Sequence, residues 1–508
     1  MRRTSVLSTV MISCIGIFYL MTIREGHNWG GDFSLYIQHA KNIIEGIDYR
    51  HSGFIPNPNE IMLSPKTYPP LFPLLLAPIY KLFGIDITIM KIEIIVFFIL
   101  SLFVIYRCFN DFVQDRYSIA IVMLMSFNPY FWEFKDNIIP DSLFLLITFL
   151  AMNFIHGRLT KNKWSTHVVL AGTGCGFLLY LSYSARSVGL LLLISLIVFD
   201  LIKNNGLSRF SCFAAGTFAL FYLLQRLFFH SDSSYFDQLL VNIGDYPGII
   251  FENIRLYKQS FSFFWDNGYY PAFTKILFFV MSGLSLSGFV LTKWDSASIS
   301  HERGYVYRIR ANMTIYDVFF VLYLGFILCW PANEKMRYLI PIIPIYLYYI
   351  IACFQWGAGR RDEKGLNVLF IAVMFVILSS YTGKYVYDHD FFPTRPIVEG
   401  VKKTETIKFF EYIRNHTKDS DIIVFKKPRV LALYTGRRSS IYSDYNNDRK
   451  FWSYISKIEA KYLVWNKYLN KGDRLLQFVK NNKDNFKTVY VNPDFKVYRI
   501  KTLRTMGL

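Results

Sequence analysis

The chain has 508 residues, 53% of them hydrophobic and 18% aromatic, and its 56 Lys+Arg against 37 Asp+Glu leave a formal charge of +19. This hydrophobic content excludes intrinsic disorder, and six cysteines in so long a chain exclude a secreted disulfide scaffold. The charge is uneven: residues 382–508 hold 26 Lys+Arg and 13 Asp+Glu, net +13, which leaves 30 against 24, or +6, for residues 1–381. An apolar part and a basic part are therefore expected in sequence order.

A transmembrane helix needs about 20 mostly apolar residues. Eleven stretches supply that pattern, at 5–23, 86–106, 117–133, 139–156, 167–183, 187–202, 209–229, 273–292, 313–330, 338–355 and 366–381. The first, with Arg2 and Arg3 before its apolar core, has no clean small-x-small cleavage site and reads as a retained span rather than a signal peptide. A twelfth run, TYPPLFPLLLAPIYKLF at 67–83, is short and carries four prolines, so it reads as interfacial. Cys14, Cys108, Cys175, Cys212, Cys329 and Cys353 all fall in or beside apolar stretches without metal spacing, which predicts small buried hydrophobes.

Positive residues in short loops stay on the cytoplasmic side. With the N-terminus inside and the 67–83 run not crossing, the inner loops hold Arg107, Arg116, Arg158, Lys161, Lys163, Lys203, Arg209, Lys293, Arg303, Arg308, Arg310, Arg360, Arg361 and Lys364. Counting the run as a span would invert this bias. Eleven spans also put the basic tail outside.

The outer connections are then 24–85, 134–138, 184–186, 230–272 and 331–337. In the first, Asp32 precedes a helical pattern in which Tyr36 and Ala40 follow at i+4 steps and Gly46 closes the helix. Asp32 is placed either to cap that helix or to act as a general base toward a hydroxyl. In NPYFWEFKDNIIPD, Glu133, Asp136 and Asp141 sit at the outer ends of two spans. Asp141 follows Pro140 and suits a helix cap; Asp136 is either a solvated loop charge or a group facing the same cavity as Asp32. Arg186 lies in a very short outer turn, and Glu334, Lys335 and Arg337 crowd another. Cations there oppose the inside bias and are explained by phosphate recognition, by an internal pair such as Arg337 with Glu334, or by snorkelling. Tyr68 and Trp132 are candidates for stacking on a ring, though spacing alone does not select them.

The order of GDFSLYIQHAKNIIEGIDY, YPPLFPLLLAPIYKLFG, NPYFWEFKDNIIPD and RYLIPIIP resembles the C-type (GT-C) membrane glycosyltransferases. Within them it is similar to bacterial relatives of dolichyl-phosphate-mannose protein mannosyltransferases and of the lipid A aminoarabinose transferase. The resemblance runs to about residue 355. It implies a polytopic α-helical bundle of about 11 spans with a juxtamembrane outer helix at the proline-rich run. It further implies that Asp32 is the catalytic base, that the second-loop acid is Asp136 or Asp141, and that the RY-x-x-P pattern falls on Arg337, Tyr338 and Pro341. Phe33 stands where protein mannosyltransferases carry Glu, which weakens a protein acceptor, and no WWD triplet is present, which argues against an oligosaccharyltransferase.

The expectation is an enzyme that moves a sugar from a polyprenyl-phosphate donor to a glycan, lipid or protein hydroxyl, with inversion, on the extracytoplasmic face of a bacterial inner membrane. Asp32, Asp136 and Asp141 are the catalytic candidates; Tyr36, Tyr68, Arg186, Lys335, Arg337 and Tyr338 are the substrate-binding ones. No metal, cofactor or nucleic acid is expected. A transporter of lipid-linked sugars is the rival reading, but it would show internal repeats and charges at mid-membrane. Residues 1–381 form the expected bundle, with the outer loop 24–85 as its catalytic part, and 382–508 a small basic α/β domain. In that domain TETIKFFEYIRNH reads as a helix, DIIVF, VLALY and KYLVW as strands, and FKTVYVNPDFKVYRI as a hairpin about Asn492 and Pro493. Its charge suits an anionic acceptor, anionic headgroups or a solvated basic lid.

Overall fold

The computed structural model describes residues 3–58, 67–159, 167–229, 246–294, 305–331, 334–358, 363–389, 397, 399–442, 445, 448–470 and 474–501. The helices of the first part are α1 (Arg3–Met21), α2 (Asp32–Glu45), α3 (Leu71–Phe83), α4 (Ile87–Phe109), α5 (Asp115–Ser126), α6 (Pro129–Phe134), α7 (Asp141–Leu159), α8 (Val168–Ala185), α9 (Leu190–Asn204) and α10 (Arg209–Phe229). They continue as α11 (Tyr246–Phe263), α12 (Pro271–Trp294), α13 (Tyr305–Asn312), α14 (Ile315–Cys329), α15 (Met336–Leu339), α16 (Ile343–Ala358) and α17 (Glu363–His389). Seven of the described helices are long and apolar enough to cross a membrane: α4, α7, α8, α9 with its preceding 3-10 turn, α10, α12 and α17. Parts of α1, α3, α14 and α16 form shorter apolar helices. Leu227, Phe228, Ile371 and Phe375 project from the bundle without protein cover, as lipid-facing residues of an integral membrane protein do.

Two sequence expectations need correction, and one about a short helix holds. The stretch 117–133 is not one helix, because Asn128 stops α5 and caps α6, its side chain accepting from Tyr130 N at 3.0 Å and donating to Phe264 O at 2.9 Å. Pro129 then occupies the first helical position, where its missing N–H costs nothing. Cys14 and Cys212 are exposed on outer helix faces, and only Cys108 and Cys175 are buried, because an apolar span does not distinguish the lipid side from the core. The proline-rich run does form the short helix α3, which at about 1.5 Å per residue falls well below a bilayer's width. It packs along α2.

Close helix contacts use small residues. A Cβ on Gly176 of α8 would lie 2.3 Å from the Ala214 carbonyl oxygen, and one on Gly172 would lie 2.8 Å from that of Phe210, so these two glycines at i and i+4 set the α8–α10 crossing.

The basic part contains α18 (Thr404–His416), α19 (Pro428–Thr435), α20 (Asp448–Ile458) and α21 (Arg474–Asn481). Its strands are β2 (Ile422–Val424), β3 (Arg438–Ser440), β4 (Ala460–Asn466), β5 (Phe486–Val491) and β6 (Phe495–Ile500). VLALY, expected as a strand, is the core of α19: Pro428 starts it, Gly436 closes it at φ 71°, and almost all of it is buried, so apolarity alone could not distinguish strand from helix. The β5–β6 hairpin turns at Asn492 as expected, with Asn492 N donating to Phe495 O at 2.9 Å.

The sheet is completed from outside this region. Phe54–Ile55 of the first outer loop form β1, and the order is β1-β3-β2-β4-β6-β5, parallel from β1 to β4 and antiparallel beyond. Gly53, at φ 67°, lets β1 lie against α19, where its Cβ would touch that of Ala432 at 3.0 Å.

Candidate active site

Gly31, not Asp32, occupies the cap position of α2, and Asp32 is the first helical residue. Its carboxylate makes no cap bond. Oδ1 accepts from the Tyr68 hydroxyl at 2.7 Å and Oδ2 accepts from Arg337 Nη1 at 2.6 Å. The capping explanation of Asp32 therefore fails on geometry. Arg337 lies on α15, just after Lys335, whose φ of 53° turns the chain sharply between α14 and α15. Its Nε donates to Asp141 Oδ2 at 3.0 Å. Asp141 opens α7 after Pro140, and its Oδ1 accepts from Arg186, which stands between α8 and the turn before α9. The Tyr338 ring covers Arg186 at 5.5 Å.

The result is an alternating row of charges, Asp32, Arg337, Asp141 and Arg186, collected from four separate segments. Asp32 keeps 30% of its side chain open, whereas Asp141 keeps 4%. Burial by itself would raise the Asp32 carboxyl, but Arg337, Arg429 and the bonds from Arg337 and Tyr68 outweigh it and hold it at about 2. Tyr36, one turn along α2, stacks on Tyr68 with centroids 4.4 Å apart. The Tyr68 backbone is fixed in turn: its N–H donates to His39 Nε2 at 3.4 Å and its carbonyl accepts from the Tyr49 hydroxyl at 2.9 Å. Burial pushes the His39 imidazole down to about 3, so the ring is neutral and has one nitrogen able to accept.

Asp136 goes elsewhere. Its carboxylate accepts from Lys91 at 3.1 Å, from Lys135, and from the Arg24 backbone at 3.0 Å, and it does not reach Asp32. Lys91 also donates to the carbonyls of Arg24 and Gly26, so this group anchors the start of the first outer loop. Trp132 is fully buried, with its Nε1 donating to Thr22 Oγ1 and the Lys135 ammonium 3.7 Å above its ring, so it offers no open face. The guanidinium of Arg337 pairs with Asp32 and Asp141 rather than Glu334, whose carbonyl instead accepts the Arg337 backbone N–H. Among the described residues no three His, Cys, Asp or Glu groups converge as metal ligands would.

Two contributors had no sequence signal. Arg429 of α19 lies 3.3 Å from the Tyr68 hydroxyl and 3.8 Å from Asp32 Oδ1, yet in sequence it is one of many cations in a basic tail. Trp29 inserts among Phe410, Phe425 and Phe495. Lys91 did leave a sign, a lysine one turn inside an apolar span.

Residues 67–229 match the model of the dolichyl-phosphate-mannose-protein mannosyltransferase family, about a third of the chain. No curated protein matches the sequence. In fold, the chain is similar to ArnT from Cupriavidus metallidurans bound to undecaprenyl phosphate, at TM-score 0.57 and 12% identity over 97% of each chain. It is also similar to the archaeal oligosaccharyltransferase AglB from Archaeoglobus fulgidus in complex with an inhibitory peptide and a dolichol-phosphate, at TM-score 0.53 and 11% identity over 91% of this chain and 69% of that one. The mycobacterial arabinofuranosyltransferase AftD matches at TM-score 0.53 and 10% identity, over 98% of this chain and 41% of that one. The fold is thus that of the C-type membrane glycosyltransferases. The family match spans the second and third of the ordered motifs, and the architecture agrees with the resemblance.

Proposed function

We propose that the chain is a membrane glycosyltransferase that moves a sugar from a polyprenyl-phosphate donor to an acceptor hydroxyl, with Asp32 as general base. The observation that carries this reading is the bridge of Arg337 between Asp32 and Asp141, which puts a base candidate and a phosphate-binding fork in one site. The donor class is supported by the family match and by the lipid phosphates bound to ArnT and AglB. Asp32 takes the acceptor's hydroxyl proton as that oxygen bonds to the anomeric carbon. The bond from that carbon to the phosphate oxygen breaks on the opposite side, its electrons leaving with the polyprenyl phosphate and the configuration inverting. Arg337 and Arg186 offset the charge that grows on the leaving phosphate, with Lys335 on the same turn and Tyr36, Tyr68 and Tyr338 lining the site.

A carboxyl held at about 2 is a weak base. Donor phosphate competes with Asp32 for Arg337, so donor binding removes a main acidifying partner while burial continues to favour the protonated form. The base is then strengthened only when the donor is in place. The inner-loop cations support an outer active site, with the basic region 382–508 as an extracytoplasmic domain on a bacterial inner membrane.

Purified protein incubated with polyprenyl-phosphate sugars should release free polyprenyl phosphate. Asp32→Asn should abolish that release while retaining donor binding, and near-normal turnover in this variant would sink the assignment. Arg337→Ala should weaken donor binding by about tenfold or more, as expected for loss of a charge-assisted fork. Movement of lipid-linked sugar without any release would favour the transporter reading.

A further inference from the structure

The region after α17 meets the site at three points. Trp29, three residues before Asp32, is 8% exposed and is surrounded by the rings of Phe410, Phe425 and Phe495, with centroids 6.4, 5.9 and 6.2 Å away. Ile397 N donates to Glu25 O at 2.7 Å and Val401 N to His27 O at 3.2 Å, so the returning chain is bonded to the strand of loop that leads to Asp32. On the other side of α2, β1 joins the sheet: Ser439 N donates to Gly53 O at 2.9 Å, Ser440 Oγ to Ile55 O at 2.7 Å and Asn57 Nδ2 to Ile441 O at 3.0 Å. The first outer loop is thus held by the sheet both before and after the helix that carries Asp32.

Arg429 lies between these attachments. Its side chain is 6% exposed, and its guanidinium lies over the rings of Phe54, at 5.1 Å, and Tyr68, at 5.6 Å. A guanidinium only donates hydrogen bonds. The Tyr68 oxygen, accepting from Arg429 Nη1 at 3.3 Å, therefore directs its own proton to Asp32 Oδ1 at 2.7 Å.

We propose that the C-terminal region is part of the catalytic unit, with Arg429 as a positioning residue that orients the Tyr68 hydroxyl toward Asp32. This rests on Asp32 being the base, but the geometry it describes can be tested without any sugar substrate. The charged and titratable groups around Asp32 are Arg337 and Tyr338 on α15, Glu334 before it, Asp141 on the far side of Arg337, Tyr68, Arg429 and Lys427. Arg429 and Tyr68 both favour the ionised carboxylate, so losing either should raise its protonation midpoint.

The test is an infrared pH titration of the full-length protein, with the Asp32 band identified by difference against Asp32→Asn. Arg429→Gln should move the midpoint upward by at least one pH unit, a tenfold change in proton affinity, and Arg429→Lys should move it less. Tyr68→Phe breaks the same path without altering α19, and should also shift the midpoint upward. A purely structural role for Arg429 would leave the midpoint of folded protein in place, and a direct charge effect from 3.8 Å would give the same shift for Arg429→Gln in a Tyr68→Phe background, so either result overturns positioning through Tyr68. An unchanged midpoint in Tyr68→Phe overturns the proposal, as does one in folded Arg429→Gln; if Arg429→Gln does not fold, Tyr68→Phe decides. Failure of the general-base reading would appear separately, as turnover by Asp32→Asn.

Discussion

Two acidic residues five positions apart, Asp136 and Asp141, look alike in sequence and occupy opposite situations in the fold. Asp136 is the carboxylate counterpart of Lys91 and Lys135, whose side chains are 0% and 1% exposed. Asp141 joins Arg337 and Arg186 beside Asp32. Removing one partner of a buried ion pair leaves an uncompensated charge and costs about 3–5 kcal/mol. Asp136→Asn is therefore expected to lower the melting temperature sharply or to prevent accumulation of folded protein. In Asp141→Asn the two arginines lose their shared counter-ion and no longer hold a fixed spacing. Arg186 and Arg337 keep 13% and 14% of their side chains open and Arg337 retains Asp32, so the stability loss should be smaller than for Asp136→Asn and folded protein should be recovered, with undecaprenyl phosphate affinity changed severalfold in a lipid-binding titration. If Asp136→Asn alone changed affinity while leaving stability intact, the assignment would be reversed.

Among the elements, the α8–α10 pair shows how a motif unrelated to chemistry shapes the bundle. Gly172 and Gly176 allow backbone contact that any side chain would block. Gly176→Val would put atoms within 2.7 Å of both Ala214 O and Thr217 Cβ, whereas a Cβ on Gly174 meets nothing within 4 Å. Overpacking of this kind costs about 1–3 kcal/mol or more. Gly176→Val should lower the melting temperature in detergent, and Gly174→Val should not. Of the helices and strands, those with one dominant local signal were legible: α2 from its period and closing glycine, α3 from its prolines, and the β5–β6 hairpin from Asn492. Among the misses, α11, α20 and α21 were not read at all, and α19 and the α5–α6 break were read wrongly. A short, wholly buried apolar run carries no periodicity, and Asn128 inside a hydrophobic stretch reads as an interruption rather than as a cap.

For the whole molecule, the charge separates into loops expected inside, where they would set the orientation, and a basic region expected outside. A membrane-impermeant maleimide should label Arg449→Cys in intact spheroplasts and should reach Lys364→Cys only after permeabilisation; both positions are exposed in the structure. The opposite pattern would invert the topology. The division at residue 381 was drawn from composition, yet α17 runs on to His389 and β1 is borrowed from the first outer loop. The basic region consequently completes its sheet with a segment of the loop that supplies the candidate base.

Composition and apolar run length determined that this is a helical membrane protein, because these properties are local or additive along the chain, and the order of its motifs supplied the resemblance to the C-type glycosyltransferases. They also selected Asp32, Tyr68, Arg186 and Arg337 as candidates. Only the tertiary structure decided which acid stands beside Asp32, that Arg337 bridges the two carboxylates, and that Arg429 arrives from 361 residues beyond Tyr68 to meet its hydroxyl. Those are contacts between segments distant in sequence, set by how helices and sheet pack, and no local pattern encodes their partners.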